Sequence, residues 1–180
     1  MASPQHGNVT YALLDAAVIA GRADEPVVVG QWTHARLLEE VAALGGVLTH
    51  LGVGPGSPVV IDLADDTDAV VAALATARVG GVVTTREDPA APVTFVSAPV
   101  SPAAPGQRRL VRPAAGEEAR EPDLDWAVML RAGRTDPAAC VVLDPGATYS
   151  PGRSIAEQVA ILASSPAPYT PEGLRHLLGV

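Results

Sequence analysis

The sequence predicts an α/β fold, a mostly parallel sheet with helices on both faces. Three observations carry that reading. Leu37, Val41, Leu44, Leu48 and Leu51 recur at spacings of four, three, four and three, the period of an amphipathic helix. Val59-Val60-Ile61 is apolar without polar alternation, as a strand covered on both faces requires. Between it and Val82-Val83 lies a helical stretch with Val70, Ala73, Leu74 and Ala77 inward. Strand, helix and strand at that length form a βαβ unit, so the strands are parallel and the crossover right-handed.

The remaining elements follow in chain order. Residues 1–8 read as a frayed polar tail. Leu13, Ala17 and Val18 lie at helical spacing and predict a helix from Val9 to Ile19, ended by Gly21 and Asp24. Val27–Val29 is a small strand after Pro26. Thr33 can cap the leucine-striped helix, whose Arg36, Glu39, Glu40 and His50 face water. Gly52 suits the left-handed position beyond its end, and Pro55 prevents a restart. Asp65, Asp66 or Thr67 can cap the second helix, which Gly80-Gly81 closes.

Past Thr85 the texture changes. Val93–Val96 is a further strand. Residues 98–122 hold Pro99, Pro102, Pro105, Pro113 and Pro122 and predict a long loop around a short strand at Leu110-Val111. Asp125 can cap a short helix carrying Trp126, Met129 and Leu130. Cys140–Leu143 reads as a strand stopped by Asp144-Pro145-Gly146, and helices follow at Ile155–Ala163 and Pro171–Leu178. The whole is a single domain over 1–180, with 9–97 as its βαβ part.

Composition narrows the function. The 180 residues suffice for one core, and 48% apolar content predicts a folded globule. Aromatics are only 3%, so packing rests on small and branched side chains. A formal charge of −8 argues against nucleic acid or an anionic membrane as partner, because no phosphate-neutralising surface is on offer. One cysteine excludes an internal disulfide. The N-terminus lacks a basic n-region and Asp15 interrupts its apolar run, so a cytoplasmic protein without a signal peptide or membrane span is expected. All 12 basic residues are arginine. Without lysine there can be no Schiff base and no Walker A loop.

The order of helix, short strand and Trp32–Val83 resembles the N-terminal subdomain of the adenylate-forming enzymes, which include acyl-CoA synthetases, peptide-synthetase adenylation domains and luciferases. The residues that carry the resemblance are Thr33-His34-Ala35, Leu51-Gly52-Val53-Gly54-Pro55-Gly56-Ser57-Pro58-Val59 and Ala77-Arg78-Val79-Gly80-Gly81. It covers roughly residues 10–85. A second patch, Asp123 to Val141, looks like the segment before the phosphate loop of acetyl- and propionyl-CoA synthetases. In that family a Ser/Thr/Gly-rich loop with a lysine follows and holds the ATP phosphates. Here Leu143 to Ser154 takes its place, without a repeated Ser/Thr/Gly cradle and with Arg153 as its only cation. The resemblance therefore implies a truncated, catalytically silent relative whose C-terminal part, 123–180, is rewritten. No catalytic residue, metal or cofactor is carried over.

Several sites are weighed on their own chemistry. Thr148, Ser150, Gly152, Arg153 and Ser154 could form an anion nest, with the amides of the next helix aimed at a phosphate; a plain loop with Ser154 as a cap is the commoner use. Asp62, Asp65, Asp66 and Asp68 cluster at the C-terminal end of a strand, where they could hold a hard cation or serve as caps and a solvated edge. Gly52–Gly56 follows a helix and precedes a strand, the reverse of a dinucleotide loop, and reads as a turn. His6, His34, His50 and His176 share no metal-binding spacing, and Cys140 reads as an inert core residue. The functional expectation is a non-catalytic binding or interaction module with a protein partner, a second copy included. The alternatives are a subunit of a split acyl-activating ligase completed by another chain, and a small enzyme built on Asp62, Asp66 and Arg153.

Overall fold

The computed structural model describes residues 7–97, 105–113, 117 and 119–180. Parts of the expected 98–122 loop, and residues 1–6 of the expected tail, lie outside them. The chain enters through a π-helical turn (Tyr11–Asp15) that runs into α1 (Ala16–Ile19). A small antiparallel pair follows, β1 (Pro26–Val28) and β2 (Trp32–Thr33), and then α2 (His34–His50). Next come β3 (Pro58–Asp62), α3 (Asp66–Arg78), β4 (Val82–Thr84), β5 (Val93–Val96), β6 (Arg108–Val111), β7 (Leu124–Asp125) and α4 (Trp126–Gly133). A hairpin of β8 (Thr148–Ser150) and β9 (Arg153–Ser154), then α5 (Ile155–Ser164) and α6 (Pro171–Leu178), complete it.

The five central strands pair in the order β4-β3-β5-β6-β7, and every pairing is parallel. Register places Val59, Val83 and Val93 on one face with Ile61, Phe95 and Leu110, and all six belong to the main core. Aromatics are scarce but placed at its centre. Phe95 meets Trp126 edge-on with ring centroids 5.3 Å apart, and Arg112 lies over the indole while pairing with Asp68 at 3.0 Å.

α3 explains the alanine content. The sequence predicts one inward stripe, yet every residue from Asp68 to Arg78 is buried. α2, α6, β3 and β4 all pack on it, so alanine is wanted on several sides to let neighbours approach. Caps fall where the side-chain chemistry sets them. Thr33 accepts from the amide of Arg36, Asp65 from Asp68 and Asp125 from Val128. Gly52 closes α2 with a φ of 87°.

Two expectations are corrected. The end of the predicted tail is anchored: Asn8 is fully buried, and its amide nitrogen donates to the carbonyls of Ala77, Arg78 and Val141. Its Oδ1 accepts from the amide of Thr10, so the same side chain starts the first helix. Cys140–Leu143 is no strand of the sheet. Its backbone groups are spent elsewhere: the amide of Val141 donates to the carbonyl of Arg78 and that of Leu143 to the carbonyl of Gly7, while the Val141 carbonyl accepts from Asn8, which holds the segment against the end of α3. Val142 is consequently 65% exposed, and Cys140 is only half-buried. Burial, with the Asp15 carboxylate second, pushes the Cys140 thiol up to about 11, which keeps it unreactive near neutral pH.

Candidate functional site

The stretch chosen from sequence as an anion site folds into a hairpin. Thr148 and Ser150 stand on β8, Arg153 and Ser154 on β9, and Gly152 turns the chain with a φ of 79°. Pro151-Gly152 is suited to that two-residue turn, because proline presets the first position and glycine tolerates the second. Ser154 then caps α5 in a full capping box. Its Oγ accepts from the amide of Glu157 at 3.3 Å, and its own amide donates to the Glu157 carboxylate at 2.7 Å. That backbone bond, followed by the Ser154 hydroxyl, holds the Glu157 carboxyl below its ordinary value. A carboxylate of the chain itself therefore sits where a phosphate would bind.

Arg153 is also engaged. Its guanidinium donates to Oε1 of the buried Gln158 at 2.8 Å, and Gln158 donates in turn to the carbonyl of Leu177. At the middle of β8, Tyr149 is buried and donates its hydroxyl to the carbonyl of Leu178. Burial pushes that phenol far up. Hairpin, α5 and the end of α6 are thus tied into one unit.

The aspartates separate into different roles. Asp65 caps α3, Asp66 pairs with Arg175 at 2.7 Å, and Asp68 pairs with Arg112. Asp62 is exposed at the end of β3. Burial first, against the pull of Arg112, raises the Asp68 carboxyl. Asp66 and Arg153, named together from sequence, have different partners. Gly52–Gly56 forms a turn in which Gly56 donates to the carbonyl of Gly80, joining the two ends of the βαβ unit.

A further place was not legible in the sequence. A cavity of about 280 Å³ lies between the first helix, the start of α2 and the segment from α5 to Tyr169. His34 lines it, is 3% exposed, and its buried Nδ1 has no hydrogen-bond partner among the described residues. Burial and then Arg22 lower its pKa from an ordinary value near 6.5, while Glu25 opposes them. The native protein thus resists a proton that the unfolded chain accepts, so stability is full above pH ~6.5 and falls as pH drops through it. Thermal melts of wild type and His34→Gln from pH 7.5 to 5.5 should show a steeper acid loss in wild type. Parallel curves would refute this.

Five parallel strands with a β3–α3–β4 unit define the chain as an α/β protein built on a parallel sheet. Residues 15–92 match the family described as AMP-binding enzyme. An acetyl-coenzyme A synthetase of Phycomyces blakesleeanus is 40% identical over 68 residues, which is 38% of this chain and 10% of that protein. One from Rhodopirellula baltica is 39% identical over 89 residues, covering 42% and 13%. The solved acetoacetyl-CoA synthetase from Streptomyces lividans is 26% identical with a TM-score of 0.65, over 79% of this chain and 27% of that one. The chain is a relative of these adenylate-forming enzymes. It spans only 10% to 13% of the curated relatives' length.

Proposed function

We propose that this chain is a non-catalytic acyl-CoA-synthetase-like module that works in the cytoplasm by binding a protein partner, a second copy of itself included. The observation that carries the reading is the capping box. At the place where the resemblance puts the phosphate loop, Glu157 already occupies the amide of Ser154, and Arg153 is committed to Gln158. An entering phosphate would have to displace a carboxylate, with no lysine in these 180 residues to offset the charge. Ile19, Val128 and Val142 are large apolar side chains more than half exposed, and they offer an interaction surface its first contacts. No helix among the described residues is long and apolar enough to cross a membrane.

Calorimetry with Mg-ATP, AMP and acetyl-CoA, together with acetate-dependent pyrophosphate exchange, tests the reading. No heat of binding and no exchange are expected. Nucleotide binding, or exchange by the isolated chain, would overturn it. Sedimentation across a concentration series tests the second-copy form, which predicts a rising mass.

A further inference from the structure

We propose that the His34 cavity binds a small, uncharged molecule with an apolar body and one hydroxyl group, which pairs with Nδ1 of His34. The cavity's size is the first argument. At about 280 Å³ it lies just below the range of pockets for drug-sized ligands, which begins at about 300 Å³, and so suits a small molecule. Its walls are mainly hydrocarbon, with Leu13 from the first helix and Val159 and Leu162 from α5.

The polar groups select the ligand's head. Tyr169 also lines the cavity, but its hydroxyl is already spent on the carbonyl of Leu162 at 3.3 Å. Among the described residues that line the cavity, His34 is the one with a buried, unpaired nitrogen. An orphaned buried nitrogen carries an unrecovered desolvation cost, which a ligand that pairs with it offsets. A pure hydrocarbon would leave the cost in place. A hydroxyl can both donate and accept, so it satisfies Nδ1 in either tautomer of the neutral imidazole.

A carboxylate is the competing head group, because Arg22 lies at the rim. Its guanidinium is half-exposed and shared with Glu25 at 3.9 Å, so it offers a screened charge. Bringing an anion against apolar walls and a neutral imidazole would not be repaid by that contact. The uncharged head is therefore favoured. The site lies apart from the hairpin and stands whether or not nucleotide binds there.

Phenol, benzene and benzoate carry the same ring with a hydroxyl, nothing or a carboxylate, and they are the probes for the test. Each is titrated into the full chain and followed by amide shifts and by the imidazole nitrogen shifts of His34. Phenol should move the amides of Leu13, Val159 and Leu162 and shift Nδ1, binding about tenfold tighter than benzene. His34→Phe should abolish that preference. Ala163→Phe, at an exposed lining position where folding is not at risk, should weaken phenol binding and leave the His34 signals of the free protein in place. Equal binding of benzene would overturn the hydroxyl assignment, and tighter benzoate binding the uncharged one. Shifts confined to other surfaces, or unaltered by Ala163→Phe, would overturn the site.

Discussion

Replacing Arg78 with methionine is expected to lower the unfolding free energy by about 3–5 kcal/mol, the loss that follows when one partner of a buried ion pair is removed. Arg78 is 7% exposed at the end of α3. Its Nη1 donates to both carboxylate oxygens of Asp15, at 3.2 and 3.0 Å, and its Nε donates to the carbonyl of Ala138 at 2.8 Å. One side chain thus fastens the first helix and the segment after α4 to the central helix. Methionine keeps most of the volume but orphans a carboxylate that is only 16% exposed, and a carbonyl. Urea denaturation should show the loss. The double variant with Asp15→Asn should recover part of it, because the uncompensated charge is then gone. A change below about 1 kcal/mol for Arg78→Met would refute the brace.

Gly133→Ala should cost about 1–3 kcal/mol, toward the upper end of that range. A Cβ at Gly133 would collide with the carbonyl oxygen of Ala43 and press on Val47, both on α2. Backbone cannot yield as a flexible side-chain tip can, so α4 must lift away from α2. Gly46 meets the carbonyl of Asp136 in the same way, and the amide of Ala138 donates to the carbonyl of Ala42 beside it. The two glycines therefore set the spacing of one interface. Melts should show a drop of roughly 2–4 °C per kcal/mol for a chain of this size. A Gly133→Ala protein as stable as wild type would show that the interface can open without penalty.

Much of the fold was legible because its signals are local. The leucine stripe of α2, the caps Thr33 and Asp125, the cap of α3 narrowed to Asp65, Asp66 or Thr67, and the unalternating run in β3 each declare an element through nearby residues. Cys140–Leu143 misled for the same reason. Its composition suits a strand, but the hydrogen bonds that would make it one were taken by Gly7 and Arg78, far off in sequence. Asn8 reads as part of a tail in the sequence because the bonds that anchor it, to the carbonyls of Ala77, Arg78 and Val141, reach residues 69, 70 and 133 positions away.

The sites divide along the same line. Ser154 and Glu157 form a capping box at a fixed spacing, visible in the sequence as a possible cap. That the Glu157 carboxylate occupies the Ser154 amide follows only from the folded geometry. The His34 cavity has no sequence signature, since its walls come from residues 12–22, 34 and 159–169. Sequence by itself determined the α/β class, the kinship with adenylate-forming enzymes and the absence of lysine chemistry, because these depend on local pattern and residue count. Tertiary structure alone decided which polar groups are satisfied and that, among the described residues, Nδ1 of His34 and Oγ1 of Thr94 are buried without a partner, because satisfaction depends on partners that only folding brings together.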